Sequence, residues 1–103
     1  MRLIQDIFGH QVRLTAERLA HILEHPEMTG LEAEILKVLR QPQLVRPSVS
    51  DPTVSMFYDF YPKTVLGGKW LCVVVKYTSN DAFVVTAYLT DKPKAGEDLW
   101  PRK

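Results

Sequence analysis

The sequence predicts an α+β domain with a short N-terminal hairpin, two helices and then a four-stranded antiparallel sheet. Two observations support this order. The helical patterns lie before Pro42, whereas the chain beyond it alternates with the period of two that is typical of strands. The later segments are separated by turn sequences, so consecutive strands are expected to pair as a meander. These turns are Asp51-Pro52, Gly67-Gly68 and Ser79-Asn80-Asp81.

The first forty residues contain the predicted hairpin and both helices. Segments 2–8 and 10–14 flank Gly9, which indicates a strand and its return. Thr15 is a suitable N-cap for a helix from Ala16 to about Glu24 or His25, which Pro26 ends. The sequence Thr29-Gly30-Leu31-Glu32 has the form of a capping box and predicts a second helix that runs to about Arg40.

The four meander strands are predicted at 44–50, 54–61, 69–78 and 82–91. In the last of them, alternation places Phe83, Val85, Ala87 and Leu89 in one apolar row. Val84 and the hydroxyl-bearing residues Thr86, Tyr88 and Thr90 fall on the other side. The same alternation in the other strands predicts one polar sheet face. Its expected members are Arg46, Ser48, Tyr58, Lys76, Thr86 and Tyr88.

Size and composition exclude several classes of protein. A chain of 103 residues is long enough for one core, so residues 1–103 are interpreted as one domain with a tail at 93–103, whose Leu99 and Trp100 could dock back. The net charge of +1 is not typical of a strong nonspecific nucleic-acid binder. No apolar run is long enough to span a membrane, and the N-terminus does not have the pattern of a signal peptide, so a cytoplasmic location is expected.

The sequence predicts no metal site and no cofactor. The single cysteine, Cys72, lies in an apolar run and is expected to be a buried thiol. His21 and His25 are four residues apart on the first helix and share a stripe with Glu17. A metal at this pair would need a third ligand, and no HExxH pattern or cysteine pair is present.

The polar face and the helix histidines together suit metal-independent RNA cleavage. Such cleavage needs a base for the ribose 2′-hydroxyl, an acid for the leaving oxygen, and cations around the phosphate. Histidine supplies the proton transfer near neutral pH, Arg46 and Lys76 could neutralise the phosphate, and Tyr58 or Tyr61 could stack an unpaired base. Simpler interpretations remain open: the histidines could be solvated, Lys76 could be an edge residue, and Arg46 could pair with Asp51 or Asp59.

Four segments of the chain carry a resemblance to a known family. They are 13–28, Val45-Arg46-Pro47-Ser48 with Asp51, Val73-Val74-Val75-Lys76, and 83–91. In this order they resemble the phage and bacterial branch of the barnase–EndoU–colicin–RelE-like nuclease superfamily. The resemblance covers the chain from about Arg13 to Trp100 and implies a small α+β nuclease fold. It also implies that the catalytic positions are His21, Arg46, Ser48, Lys76, Thr86 and Tyr88.

The sequence therefore favours a small metal-independent endoribonuclease, for which a role as a toxin or as a phage or mobile-element effector is considered. In this hypothesis His21 is the general acid or base, and Tyr58, His25 and Arg18 contribute to RNA binding. A second hypothesis is a noncatalytic domain that keeps the fold and binds RNA or a protein. A third is a toxin held silent by an inhibitor protein, for which an apolar patch around Leu99 and Trp100 is a possible docking surface. The oligomeric state stays open.

Overall fold

The computed structural model describes residues 1–101 and consists of one six-stranded sheet with two α-helices. A short 3-10 helix, Pro26–Met28, lies between the two α-helices. The elements in chain order are β1 (Arg2–Gln5), β2 (Gln11–Leu14), α1 (Ala16–Leu23), α2 (Glu32–Arg40), β3 (Leu44–Pro47), β4 (Val54–Thr64), β5 (Gly67–Tyr77) and β6 (Ala82–Thr90). Neither helix is long and apolar enough to cross a membrane within these residues.

The sheet corrects the predicted fold class. The prediction of a separate hairpin and a four-stranded antiparallel sheet was wrong, because the hairpin joins the meander in one mixed sheet of order β1-β2-β6-β5-β4-β3. The junction is a parallel pairing of β2 with β6, at Arg13 opposite Phe83. Arg13 also binds Asp81 through a 2.7 Å ion pair and lies over the Phe83 ring, so side chains reinforce this short junction.

Both helices pack on one face of the sheet. Ile22 of α1 and Ile35 and Leu39 of α2 are fully buried in the same cluster as Phe57 and Val73 of the central strands. These helix residues recur at helical spacing, which gives each helix one apolar stripe to bury. In the described part of the chain the opposite face carries no helix, and its smaller cluster is built from strand residues alone. We call this second surface the open face.

The two helices begin in different ways. Thr15 caps α1 as predicted, because its hydroxyl accepts a 3.1 Å hydrogen bond from the Arg18 amide. The capping box predicted at Thr29 was wrong. The chain turns at Gly30, whose φ of 82° suits glycine, and α2 begins at Glu32 without a side-chain cap.

A β-bulge in β6 corrects the predicted faces of that strand. Val74 lies opposite Thr86, whereas the next residue, Val75, lies opposite Val84, so Val85 is an extra residue in β6. The bulge reverses the alternation. Val84 is therefore buried in the helix-side core with Ala87, where simple alternation had placed the two on opposite faces.

The C-terminal tail, defined here as residues 91–100, returns along the edge of the sheet. Trp100 bridges to Val45 of β3, and the Leu99 amide donates a 2.7 Å hydrogen bond to the Val45 carbonyl. Trp100 packs against the main core, whereas Leu99 remains 40% exposed. The tail thus protects part of the β3 edge, which would otherwise present unpaired backbone groups.

Candidate functional site

Strand register places five of the predicted site residues on the open face. One row across the sheet runs Arg46–Met56–Val74–Thr86, and the next runs Leu44–Tyr58–Cys72–Tyr88. Lys76 lies one row further, opposite Val54 and Phe83. Neighbouring strands are about 4.8 Å apart, so the Cα atoms of Arg46 and Thr86 are separated by about 14 Å. These residues share a surface, but they do not surround one phosphate.

The guanidinium group of Arg46 is hydrogen-bonded to the C-terminal tail. Its Nε donates a 2.8 Å hydrogen bond to Oδ1 of Asp98, and its Nη1 donates another of 2.8 Å to the Lys94 carbonyl. The Asp51 and Asp59 pairings considered for Arg46 are therefore not formed. A phosphate would have to compete with Asp98 for this guanidinium, because both anions use the same donors.

Tyr58 is part of a small core below the tail. The side chain is fully buried, and its hydroxyl accepts a 3.1 Å hydrogen bond from the Lys94 amide. Burial raises the pKa of Tyr58 to about 12 and that of the neighbouring Cys72 thiol to about 11. Burial also raises the pKa of Tyr88, so this phenol stays protonated at neutral pH. Tyr58 is therefore inaccessible for stacking a base, and Tyr88 is a hydrogen-bond donor.

Lys76 and Ser48 have local partners as well. The Lys76 ammonium donates 2.9 Å and 2.6 Å hydrogen bonds to Asp51 and to the Thr53 hydroxyl. Bonds from Thr53 and Lys76 lower the pKa of Asp51 to about 2. Ser48 lies beyond the end of β3, and its hydroxyl is 3.2 Å from that of Ser50. Lys76 nevertheless keeps about a third of its side chain exposed to solvent.

The residues predicted on the first helix lie on the other side of the sheet. His21 is exposed on α1 and approaches Glu24 at 3.6 Å. The His25 ring is 6.4 Å from that of His21, and Arg18 lines a surface depression with His21. Because the helices cover the opposite face from Arg46 and Lys76, the structure does not bring His21 together with these cations. The open face carries none of the three histidines.

The exposed aromatic pair of the open face was not identified from the sequence. Phe60 and Trp70 are opposed residues of β4 and β5, and their ring centroids are 5.5 Å apart at 66°. Phe60 is 41% exposed, and Trp70 is partly exposed. Tyr61, the other predicted stacking residue, packs on the helix side, where burial raises its pKa to about 12. Alternation from Tyr58 would have identified Phe60, which is two positions along the same strand.

A second group that sequence reasoning missed surrounds the carboxylate of Asp6. This buried group accepts hydrogen bonds from the amides of Phe8 and His10, at 2.9 and 2.8 Å, and from the Tyr77 hydroxyl at 2.6 Å. His10 Nδ1 lies 3.4 Å from Asp6 Oδ2. Burial and the bond to Asp6 raise the pKa of Tyr77 well above its ordinary value. The 71-residue separation of Asp6 and Tyr77 left no local signal in the sequence.

Comparison with known proteins adds no family assignment, since no family model, curated protein or solved structure matches the chain. Within residues 1–101, no group of three or more His, Cys, Asp or Glu side chains is arranged to hold a metal ion. The open face and the surroundings of Asp6 are therefore interpreted from their own geometry.

Proposed function

We propose that this chain is an RNA-binding domain that holds a single strand on its open face without cleaving it. The observation that carries the proposal is the exposed Phe60–Trp70 pair, because unpaired bases stack on aromatic side chains. Such stacking is worth about 1–3 kcal/mol per base and tolerates any sequence, since every base has an aromatic face.

Cations and hydroxyl groups on the open face and in the tail support RNA as the ligand. Lys92 and Lys94 belong to the tail that crosses from β6 to β3, and Lys76 and Thr86 lie on the same face. Three phosphate contacts by these lysines would give a slope of about −2 for log K against log salt on a single strand. Three lysines are a small positive charge, in agreement with the net charge of +1 of the whole chain. They predict a modest affinity for RNA that falls as the salt concentration rises.

Binding without cleavage fits the distribution of proton-transfer groups. The open face carries no histidine, and the exposed carboxylate next to Lys76 belongs to Asp51, whose pKa of about 2 makes it a weak base. Tyr88 remains protonated, so it serves as a hydrogen-bond donor to a phosphate oxygen. The endoribonuclease predicted from the sequence depends on His21, which lies across the sheet from these groups.

The test compares Phe60→Leu with Phe60→Tyr in anisotropy titrations of labelled single-stranded and duplex RNA, with chelator present. Leucine removes the aromatic face and keeps an apolar side chain, so affinity for the single strand should fall about tenfold. Tyrosine keeps the ring and should retain wild-type affinity. His21→Ala serves as the control from the opposite side of the sheet and should bind normally.

Two results would overturn the proposal. One is equal binding by the leucine and tyrosine variants of Phe60. The other is the appearance of RNA cleavage products that persist with chelator and disappear in His21→Ala, which would restore the endoribonuclease hypothesis.

A further inference from the structure

A pocket lies at the end of the sheet next to the Asp6 group and away from the open-face aromatic pair. It has a volume of about 500 Å³ and is bounded by the β1–β2 loop, the ends of β4 and β5, and the tail. This volume is in the range of small-molecule sites, which combine apolar walls with a few polar groups. We call it the hairpin pocket.

Three of the seven residues that line the hairpin pocket carry flat rings. Phe8, His10 and Tyr77 line it, and the His10 and Tyr77 rings are 5.3 Å apart at 63°. Tyr77 is fixed by its 2.6 Å hydrogen bond to Asp6, and the amides of Phe8 and His10 bind the same carboxylate. These bonds hold the Tyr77 ring and the backbone of the loop in place before any ligand arrives. The flat rings on the wall favour a planar ligand.

Ser55 supplies a hydroxyl group to the wall of the hairpin pocket. Only 7% of this residue is exposed, and it lines the hairpin pocket. The buried side-chain oxygens without a hydrogen-bond partner in residues 1–101 belong to Glu34 and Tyr61, so the Ser55 hydroxyl is not a buried unpaired group. A polar group of a ligand in the pocket would find this hydroxyl as a hydrogen-bond partner, because a hydroxyl both donates and accepts.

The charged groups of the pocket select the chemistry of that ligand. Glu97 and Asp98 line it, and no lysine or arginine of residues 1–101 does. Asp98 is neutralised by Arg46 through one oxygen, whereas Glu97 makes no ion pair within the described residues. Carboxylates are acceptors, so they favour N–H donors and repel phosphate.

We propose that the hairpin pocket binds a planar nitrogen heterocycle that carries amino groups. The ring would lie against Phe8 and Tyr77, its amino group would donate to Glu97, and a further polar atom would reach Ser55. Among nucleobases, cytosine and adenine present such an amino group, and carboxylates accept hydrogen bonds from it, whereas uracil has none. The same chemistry is available from a free nucleoside or from an unpaired base of an RNA strand.

The experiment is a titration of the ¹⁵N-labelled full chain with cytidine, uridine and cytidine 5′-monophosphate, followed by amide chemical shifts. Cytidine should shift the amides of Ser55, Tyr77 and Glu97. Uridine should bind at least about fivefold more weakly than cytidine, because uracil lacks the amino group that would donate to Glu97. A difference of about fivefold is the lower end of the discrimination expected from losing such a hydrogen bond. The 5′-phosphate should also weaken binding, because Glu97 and Asp98 line the pocket and no lysine or arginine of residues 1–101 does. Equal affinity for cytidine and uridine would refute the proposal, as would shifts confined to Phe60 and Trp70.

Matched variants separate this site from the open face. Glu97→Gln keeps the shape of the side chain and removes its charge, so it should weaken cytidine binding about fivefold or more. Glu27→Gln changes a partly exposed acid on the 3-10 helix, outside the pocket lining, and should have no effect. Ser55→Ala should weaken cytidine binding as well, and unchanged binding in both pocket variants would exclude the site.

Oligonucleotides distinguish the source of the base and keep the two proposals independent. If the pocket takes a base within a strand, Glu97→Gln should weaken binding of a cytidine oligonucleotide but not of a uridine oligonucleotide. If it takes a free nucleoside, only mononucleoside binding should change. Phe60→Leu should leave cytidine binding intact in either case. Cytidine binding without any RNA binding would uphold the pocket and refute the function proposed for the open face.

Discussion

Tyr77 donates a 2.6 Å hydrogen bond to the carboxylate of Asp6, and this contact joins the last residue of β5 to the loop of the N-terminal hairpin. Asp6 is buried, and its remaining oxygen accepts from two backbone amides of the loop. A buried carboxylate is stable only when its lone pairs are satisfied, so each of these donors contributes to the free energy of folding.

Tyr77→Phe should therefore destabilise the domain. It removes one donor from a buried charged acceptor and leaves the ring in place. Hydrogen bonds to charged groups are worth about 1.5–3 kcal/mol, and a loss of that size should appear as a lower urea midpoint in equilibrium unfolding.

Tyr61→Phe is the matched control for that measurement. The Tyr61 hydroxyl is buried and has no hydrogen-bond partner within residues 1–101. Because its removal leaves no group unpaired, this variant should be as stable as the wild type or more so. Equal losses in the two variants would show that the contact with Asp6 does not stabilise the fold.

The tail provides a second prediction, centred on Arg46. Arg46→Ala removes the bonds to Asp98 and Lys94, and the Leu99 and Trp100 amides should then exchange with solvent at least about tenfold faster. Arg46→Lys should give an intermediate rate, because an ammonium lacks the planar geometry that meets both acceptors. Native-state hydrogen exchange measured by NMR provides the rates.

Arg13→Ala is the control for the effect of Arg46→Ala on amide exchange in the tail. Arg13 also forms an ion pair, with Asp81, but it lies at the β2–β6 junction. Its replacement should leave the Leu99 and Trp100 exchange rates unchanged. If Arg46→Ala also left them unchanged, the backbone bridge to Val45 alone would hold the tail.

The membership of the open face could be predicted because it depends on local alternation. Arg46, Tyr58, Lys76, Thr86 and Tyr88 each lie within an uninterrupted stretch of period two, so counting along the strand places them correctly. Alternation failed at Val84, because the bulge at Val85 depends on how β6 fits β5 and leaves no clear sign in the residues themselves.

Contacts between distant parts of the chain could not be predicted in the same way. The pairing of Arg13 with Phe83 and the bond from Tyr77 to Asp6 each join the hairpin to the end of the meander. Only the folded register brings these residues together. For the same reason, the sequence could not show that Arg46 pairs with Asp98, or that His21 lies across the sheet from the predicted cations.

Cys72 belongs to the small core of the open face that it forms with Met56 and Tyr58. The reactivity of its thiol therefore measures how often this core opens to solvent. The thiol is fully buried, and burial raises its pKa to about 11, so few thiolates form near neutral pH. Its reaction with an aromatic disulfide reagent should be much slower in the native protein than in denaturant. Arg46→Ala should accelerate the native reaction, and rapid labelling of the wild type would show that the tail does not protect this core.

Asp51 gives the last prediction, which concerns acid stability. Its carboxylate accepts hydrogen bonds from Thr53 and from Lys76, and these lower its pKa in the folded state to about 2, from about 3.9 when unfolded. A carboxyl with a depressed pKa contributes stability that is fully present above the unfolded value and is lost as pH falls through the folded value. This contribution should therefore disappear between about pH 4 and pH 2.

Thr53→Ala removes the largest cause of that shift and should raise the Asp51 midpoint, measured by carboxyl ¹³C titration, toward 3.9. Lys76→Met should raise it less, because the Thr53 bonds remain. The acid-unfolding curve of Thr53→Ala should correspondingly depend less on pH between 4 and 2. A midpoint near 3.9 in the wild type would contradict the assignment and would leave Lys76 available to a phosphate rather than bound to Asp51.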